Sequence, residues 1–292
     1  MITYKTNQLV KKFLSDIEYQ AQTDNARAQQ AKTGFYTGLK GFDWQIGGLR
    51  PGDVLLLIGS QEQINTAFLA FILHSLCWKQ RIPGQVYACA KPVERWLPYL
   101  LSAELKMSVS SLRWGVDEND LDRVKNAGHV LQTLPFWFSD LNPVTAQQHD
   151  FEASVGQILV VDDLPLKEMK ESEKFLQDLK QLAVQRQKIV LVSATLDEKM
   201  CQYPDIYRNL RSIGLLGHIC NFVGLLNLRV PGQDYVIDAT KEPITPELIP
   251  MGFSAQDKLT LRMLYNARLP DSYATFLYNQ FDVVDFRDEI KY

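Results

Sequence analysis

Apolar residues recur along this chain in two rhythms. Val54–Ile58, Gln85–Ala90, Phe136–Ser139, Ile158–Asp162 and Ile189–Ser193 are short, nearly continuous apolar runs, and they read as buried strands. Between them, Ala67–Lys79, Val93–Lys106, Glu118–Leu131 and Glu173–Gln187 carry apolar positions at helical spacing. In the last of these, Phe175, Leu176, Leu179, Leu182 and Ala183 share one face. Apolar strands alternating with amphipathic helices predict an α/β fold with a mostly parallel sheet covered on both faces. Asn221–Leu228, Leu259–Tyr265 and Tyr273–Tyr278 are further strand candidates that extend the sheet in mixed or antiparallel fashion.

The flanks follow other patterns. Residues 1–32 read as one amphipathic helix, with Leu9, Phe13, Ile17 and Ala21 in a stripe and Val10 and Leu14 beside it. After Ala21 the segment turns polar. Thr33–Gly52 is rich in glycine and reads as turns and short elements. Arg229–Asp257 holds Pro231, Pro243, Pro246 and Pro250, a density that predicts a long irregular excursion. The expected organisation is a linker-type helix over 1–32 and one large domain over 33–292, interrupted at about 229–257.

Composition narrows the function without choosing it. The chain has 292 residues, 46% hydrophobic and 22% charged, as ordinary globular domains do. Its net charge of −3 advertises no nucleic-acid partner, so any such binding needs a local basic patch. Four cysteines and four histidines are scattered without metal-ligand spacing, so no metal site is expected. The N-terminus has no secretory pattern, and the apolar run around Ala67–Cys77 is too short to span a bilayer. The cytoplasm is the expected location.

The candidate chemistry lies between the first strand and the next helix. Gly59-Ser60-Gln61-Glu62-Gln63-Ile64-Asn65-Thr66 stands in the strand-to-helix context of a phosphate-binding loop, G-x-x-x-x-G-K-[ST]. Gly59 and Thr66 occupy the first and last positions of that frame. Ile64 replaces the second glycine, whose freedom lets backbone amides curl around phosphate. Asn65 replaces the lysine, so one hydrogen bond is available where a positive charge would be. On these eight residues alone, a strand–turn–helix that never bound phosphate is an equally physical reading.

Other motifs bear on the choice. Thr37-Gly38-Leu39-Lys40-Gly41-Phe42-Asp43 followed by Gly47-Gly48-Leu49-Arg50-Pro51-Gly52-Asp53 leads into the first strand. Ile158-Leu159-Val160-Val161-Asp162 ends a strand in a carboxylate. Asn209-Leu210-Arg211-Ser212-Ile213-Gly214 precedes another strand, and Asn266-Ala267-Arg268-Leu269-Pro270 opens a late hairpin. In order and spacing these resemble the C-terminal motor domain of DnaB-type replicative helicases over about Thr33–Phe286. The resemblance implies a RecA-like P-loop NTPase fold, a mostly parallel central sheet flanked by helices, with the N-terminal amphipathic helix as a linker. It implies a vestigial nucleotide site at Gly59, Asn65, Thr66, Asp162 and Arg268. Thr66 would face Mg²⁺, Asp162 would be the Walker B aspartate, and Arg268 would lie near the arginine finger that acts on a neighbouring subunit's nucleotide.

Several family positions are changed. Ala90 stands where a glutamate activates water, and Ala194 stands where a glutamine senses the nucleotide. Phosphoanhydride hydrolysis needs charge stabilisation and an oriented water, and losing one such group costs about 10²–10⁴ in rate. A plainer reading stands beside each survivor: Asp162 caps a turn, Thr66 caps a helix, and Arg268 lies on the surface. No N-terminal helical domain precedes the linker position, so primase contact is not implied. The two loops that would face DNA, Asp162–Lys174 and Thr195–Arg208, carry nearly balanced charge and give DNA little support.

Three functions are compatible with these residues. The leading one is a non-catalytic assembly or regulatory module in DNA replication or a related process. It would bind its own copies or a helicase-like partner through the N-terminal helix and the RecA-like faces, with no catalytic residues and no cofactor. The alternative is a divergent, active ATP-dependent DNA helicase subunit that uses ATP and Mg²⁺, with Lys91 or Arg95 replacing the lost charge. The third is a regulatory partner that binds proteins through Arg229–Asp257 or Phe281–Tyr292.

Overall fold

The computed structural model describes residues 34–89, 92–140, 154–164, 169–196, 219–228, 258–268, 274–279 and 283–288. The helix expected over 1–32, the excursion over 229–257 and the turn Asn209–Gly214 lie outside these residues. So do Ala90, Lys91 and most of the two loops weighed for DNA contact.

The entry stretch holds more structure than its glycines predict. Helix α1 (Lys40–Ile46) forms within it. The Asp43 carboxylate accepts hydrogen bonds from Thr37 N at 2.8 Å, Thr37 Oγ1 at 2.8 Å and Gly38 N at 3.2 Å. That contact folds the preceding loop back onto the helix. Gly47, at φ 65°, ends α1 in the left-handed conformation that glycine adopts without penalty.

Strand β1 (Val54–Gly59) follows, then helix α2 (Glu62–Leu73), which runs on into a π-helical turn at His74–Lys79. Next come β2 (Gly84–Ala88), a 3₁₀ turn at Val93–Trp96 and α3 (Leu97–Leu105). The single helix expected over Val93–Lys106 divides there because Pro98 sits in the first turn of α3. Helices α4 (Val109–Trp114) and α5 (Glu118–Gln132) lead to β3 (Phe136–Asp140) and β4 (Ile158–Asp162). Helix α6 (Met169–Gln185), β5 (Ile189–Thr195), β6 (Phe222–Leu228), β7 (Lys258–Asn266), β8 (Ala274–Asn279) and β9 (Phe286–Asp288) complete the described chain.

The strands form one sheet in the order β3-β2-β4-β5-β1-β6-β7-β8-β9. From β3 to β6 every pairing is parallel. From β6 to β9 every pairing is antiparallel. The fold is therefore α/β, with a mostly parallel core and an antiparallel extension.

Strand alternation divides the interior into two cores. Leu55 and Leu57 face α1, α2 and α3, whereas Val54, Leu56 and Ile58 face α6. Leu176, Leu179, Leu182 and Ala183 of α6 all join that second core, as their spacing predicts. Helix α2 is buried on nearly every side: nine of its 12 residues are buried, which requires cover beyond the sheet. The antiparallel tail supplies it. Phe286 meets Phe68 at 5.1 Å and Phe71 at 5.6 Å, edge to face. Val284 N donates to Ser102 Oγ at 2.9 Å, tying the tail to α3.

Candidate functional site at the strand ends

Parallel pairing brings the carboxyl ends of the core strands to one edge, where α/β sheets bind ligands. Gly59 of β1 is level with Thr195 of β5, and Ala88 of β2 is level with Asp162 of β4. Gly59, Asn65, Thr66 and Asp162 are thus gathered at this edge.

The link between β1 and α2 is only Ser60 and Gln61. The sequence frame predicts an eight-residue loop with the helix starting at Ala67. Instead α2 starts at Glu62, and Ile64, Asn65 and Thr66 lie in its first turns. The Gln61 carbonyl accepts the amides of Ile64 at 3.1 Å and Asn65 at 3.2 Å. Those two donors therefore serve the helix.

Asn65 is 1% exposed and reaches back across the strand ends. Its Nδ2 donates to the Ala194 carbonyl at 3.2 Å and to Thr195 Oγ1 at 3.4 Å. Its Oδ1 is buried without a hydrogen-bond partner and lies over Gly59. A Cβ on Gly59 would sit 2.2 Å from that oxygen and 2.9 Å from the Leu226 carbonyl. Only glycine fits there. The need for glycine comes from the close approach of Asn65 and β6.

Asp162 is equally enclosed. Thr66 Oγ1 donates to Oδ2 at 3.0 Å, Ser193 Oγ donates to Oδ1 at 2.6 Å, and Trp96 Nε1 donates to Oδ2 at 2.9 Å. Ser193 Oγ in turn accepts the Asp163 amide at 2.8 Å. Burial pushes the Asp162 carboxyl up to about 6, with the nearby Asp163 charge adding to it, against the lowering effect of the Ser193, Thr66 and Trp96 donors. Cys89, at the adjoining end of β2, is pushed up to about 12 by burial and by the charges of Asp162 and Asp163. It is an inert thiol in this setting.

Arg268 does not join this group. It lies at the opposite, amino-terminal edge of β1. Its Nη2 bonds both Asp53 oxygens, at 2.8 and 2.6 Å, and its Nη1 donates to the carbonyls of Ile46 and Gly48 at 2.5 and 2.6 Å. The guanidinium also stacks 5.0 Å from the Phe222 ring. Asp53 takes the Arg50 amide as well, at 2.7 Å. Burial raises the Asp53 carboxyl above its ordinary value, with the Arg268 charge opposing that rise. The Gly47–Asp53 motif and Arg268 thus form one structural clasp between β7 and the entrance of β1.

Sequence reasoning misses Trp96 and Ser193. Ser193 carries a usable signal, because it stands at the end of the strand beside Asp162. Trp96 carries no local signal; the chain brings it there through a turn after β2. Arg95, beside it, is exposed. Among the described residues no group of three or more histidine, cysteine or acidic side chains is placed to hold a metal, and no helix is long and apolar enough to cross a membrane.

No family model matches this sequence, and no curated protein matches it either. Solved structures do match. The ATPase domain of one DnaB-like helicase superposes with a TM-score of 0.66 at 14% identity, covering 99% of this chain and 100% of that one. A second DnaB-like replicative helicase, solved for its interactions with primase, superposes with a TM-score of 0.63 at 14% identity, covering 87% of this chain and 63% of that one. The RadB recombinase gives 0.52 at 15% identity, covering 88% of this chain and 100% of that one. The likeness to helicase ATPase domains and to a recombinase establishes a RecA-like fold of the P-loop NTPase type.

Proposed function

We propose that this chain is a DnaB-helicase-like protein that does not turn over ATP and serves as an assembly or regulatory binding module in DNA replication or a related process. The observation that carries the reading is the position of Asn65. Its amide lies across Gly59 and bonds the end of β5, in the frame position of the lysine that would meet a nucleotide's phosphates. A triphosphate would have to displace a buried side chain and unwind the first turn of α2, and it would meet no positive charge on arrival.

The Asp162 cage supports the same reading. Three side-chain donors engage its carboxylate, so a Mg²⁺ shell would compete with existing hydrogen bonds. The residues as arranged do not fit Mg²⁺–nucleotide, and no catalytic step is derived through it. Ala90 and Ala194 remove the water-activating and sensing groups that the resemblance implies. Such losses need not multiply, because groups that act together are non-additive.

What remains is a RecA-like body and its faces. Self-association, or pairing with a helicase-like partner, is the use we assign to them, by analogy with the fold's neighbours. Arg268 contributes to the body, because its fork is spent within its own chain. The expected result of a steady-state ATPase assay, with and without single-stranded DNA, is no turnover above background. Turnover at or above about 1 s⁻¹, an ordinary enzymatic rate, would overturn the reading.

One observation favours the alternative, a divergent active helicase subunit: the Thr66–Asp162 hydrogen bond keeps the metal-side pair in contact. That reading needs a cation from elsewhere, and Arg95 is a described candidate. If it holds, ATP binds and Arg95→Ala weakens it; an unchanged affinity removes Arg95 from the account.

A further inference from the structure

The outer face of α6 departs from an ordinary solvated helix. Gln177, Gln181, Val184 and Gln185 follow one another at spacings of four, three and one, so they form a single uncharged stripe. With Lys180 and Ile219 they line a groove of about 380 Å³. Val184 is 50% exposed on its floor. Lys180 adds no free charge there, because its Nζ donates to the Gly52 carbonyl at 2.9 Å and to Asn221 Oδ1 at 2.5 Å. The groove is thus apolar in its floor and neutral at its rim.

We propose that this groove receives the chain's own N-terminal segment, through the stripe Leu9, Phe13, Ile17 and Ala21. The tether ends beside it. A Cβ on Gly34 would lie 2.8 Å from the backbone of Gly48, which fixes where the segment enters the domain. Gly48 and Gly52 are at most about 15 Å apart along the chain. A Cβ on Gly52 would lie 4.0 Å from Val184. The polar residues 22–33 can span roughly 40 Å, more than this path requires. A tether of that length gives an effective concentration on the order of millimolar, so the own segment outcompetes a second copy at micromolar protein. The character of the surfaces agrees: the segment has an apolar stripe with polar flanks, and the groove has an apolar floor with an uncharged glutamine rim. The proposal goes beyond the functional reading above and does not depend on whether ATP binds. It places the assembly helix at rest on its own domain.

Hydrogen exchange on the full-length protein tests this. Amides of residues 9–21 should exchange on the order of tenfold or more slowly than an unstructured segment, and equally so across a hundredfold dilution. Val184→Lys should abolish that protection while leaving β1 and β5 protected. Phe13→Asp should do the same and speed exchange at residues 177–185. Protection that falls on dilution would assign the groove to a second copy and overturn the proposal. So would an unprotected segment in the wild type, or protection that survives Val184→Lys.

Discussion

Replacing Arg268 by alanine separates a structural clasp from a residue that acts on a neighbour. The change removes both bonds to Asp53, which is 4% exposed, and it strips the Ile46 and Gly48 carbonyls of their donor. Asp53 keeps the Arg50 amide, but its charge loses the guanidinium that offsets burial. Breaking one side of a buried pair costs about 3–5 kcal/mol, most of it the cost of the stranded charge. Loss of the contact with Phe222 lies within that range. In urea, with a slope of about 3 kcal/mol/M, the midpoint should fall by about 1 M or more. Arg268→Lys should recover only part, because one ammonium cannot serve two carbonyls and a bidentate carboxylate. Asp53→Asn combined with Arg268→Ala should cost less than the sum of the single changes. A loss below about 1 kcal/mol, the value of an exposed pair, would refute the clasp.

The site and its cover are open to the same kind of test. Asp162 titrates at about 6 when folded against an ordinary 3.8, so the folded state holds that proton more tightly. Its stabilising contribution is full below about pH 4 and is lost as pH rises through about 6. Wild type should therefore lose on the order of 2–3 kcal/mol relative to Asp162→Asn between those limits; parallel pH profiles of urea midpoints would contradict the assignment. Phe286→Ala, which removes a 2% exposed ring from Phe68 and Phe71, should cost about 3–5 kcal/mol and raise hydrogen exchange within α2. A near-neutral result would mean that the tail does not secure α2.

Much of the fold is written in local pattern. Ile158–Asp162 and Ile189–Ser193 announce buried strands because parallel strands are covered on both faces and need no alternation. The face of α6 is equally plain. The entry helix α1 is not, because its flanking glycines mask a helix whose anchor is the Asp43 carboxylate within it. The start of α2 departs from expectation for a different reason: a loop frame borrowed from phosphate-binding sequences hides the helical propensity of Glu62 and Gln63. Without a phosphate to wrap, those residues wind into the helix. At the site, Thr66 and Asp162 meet as their motifs imply, while Trp96 arrives through tertiary packing that no local spacing reports. Arg268 shows the limit of order-and-spacing reasoning, since a slip of about one residue separates an intermolecular role from an internal clasp.

Whether Asn65 closes the nucleotide site is decided by calorimetric titration of the purified protein with Mg²⁺–ATP, with the double variant Ile64→Gly, Asn65→Lys measured beside it. The wild type should give no heat of binding at millimolar ATP. The variant should bind measurably, once glycine frees the turn and lysine replaces the Asn65 plug. Micromolar binding by the wild type would contradict the closed site and the non-catalytic role built on it.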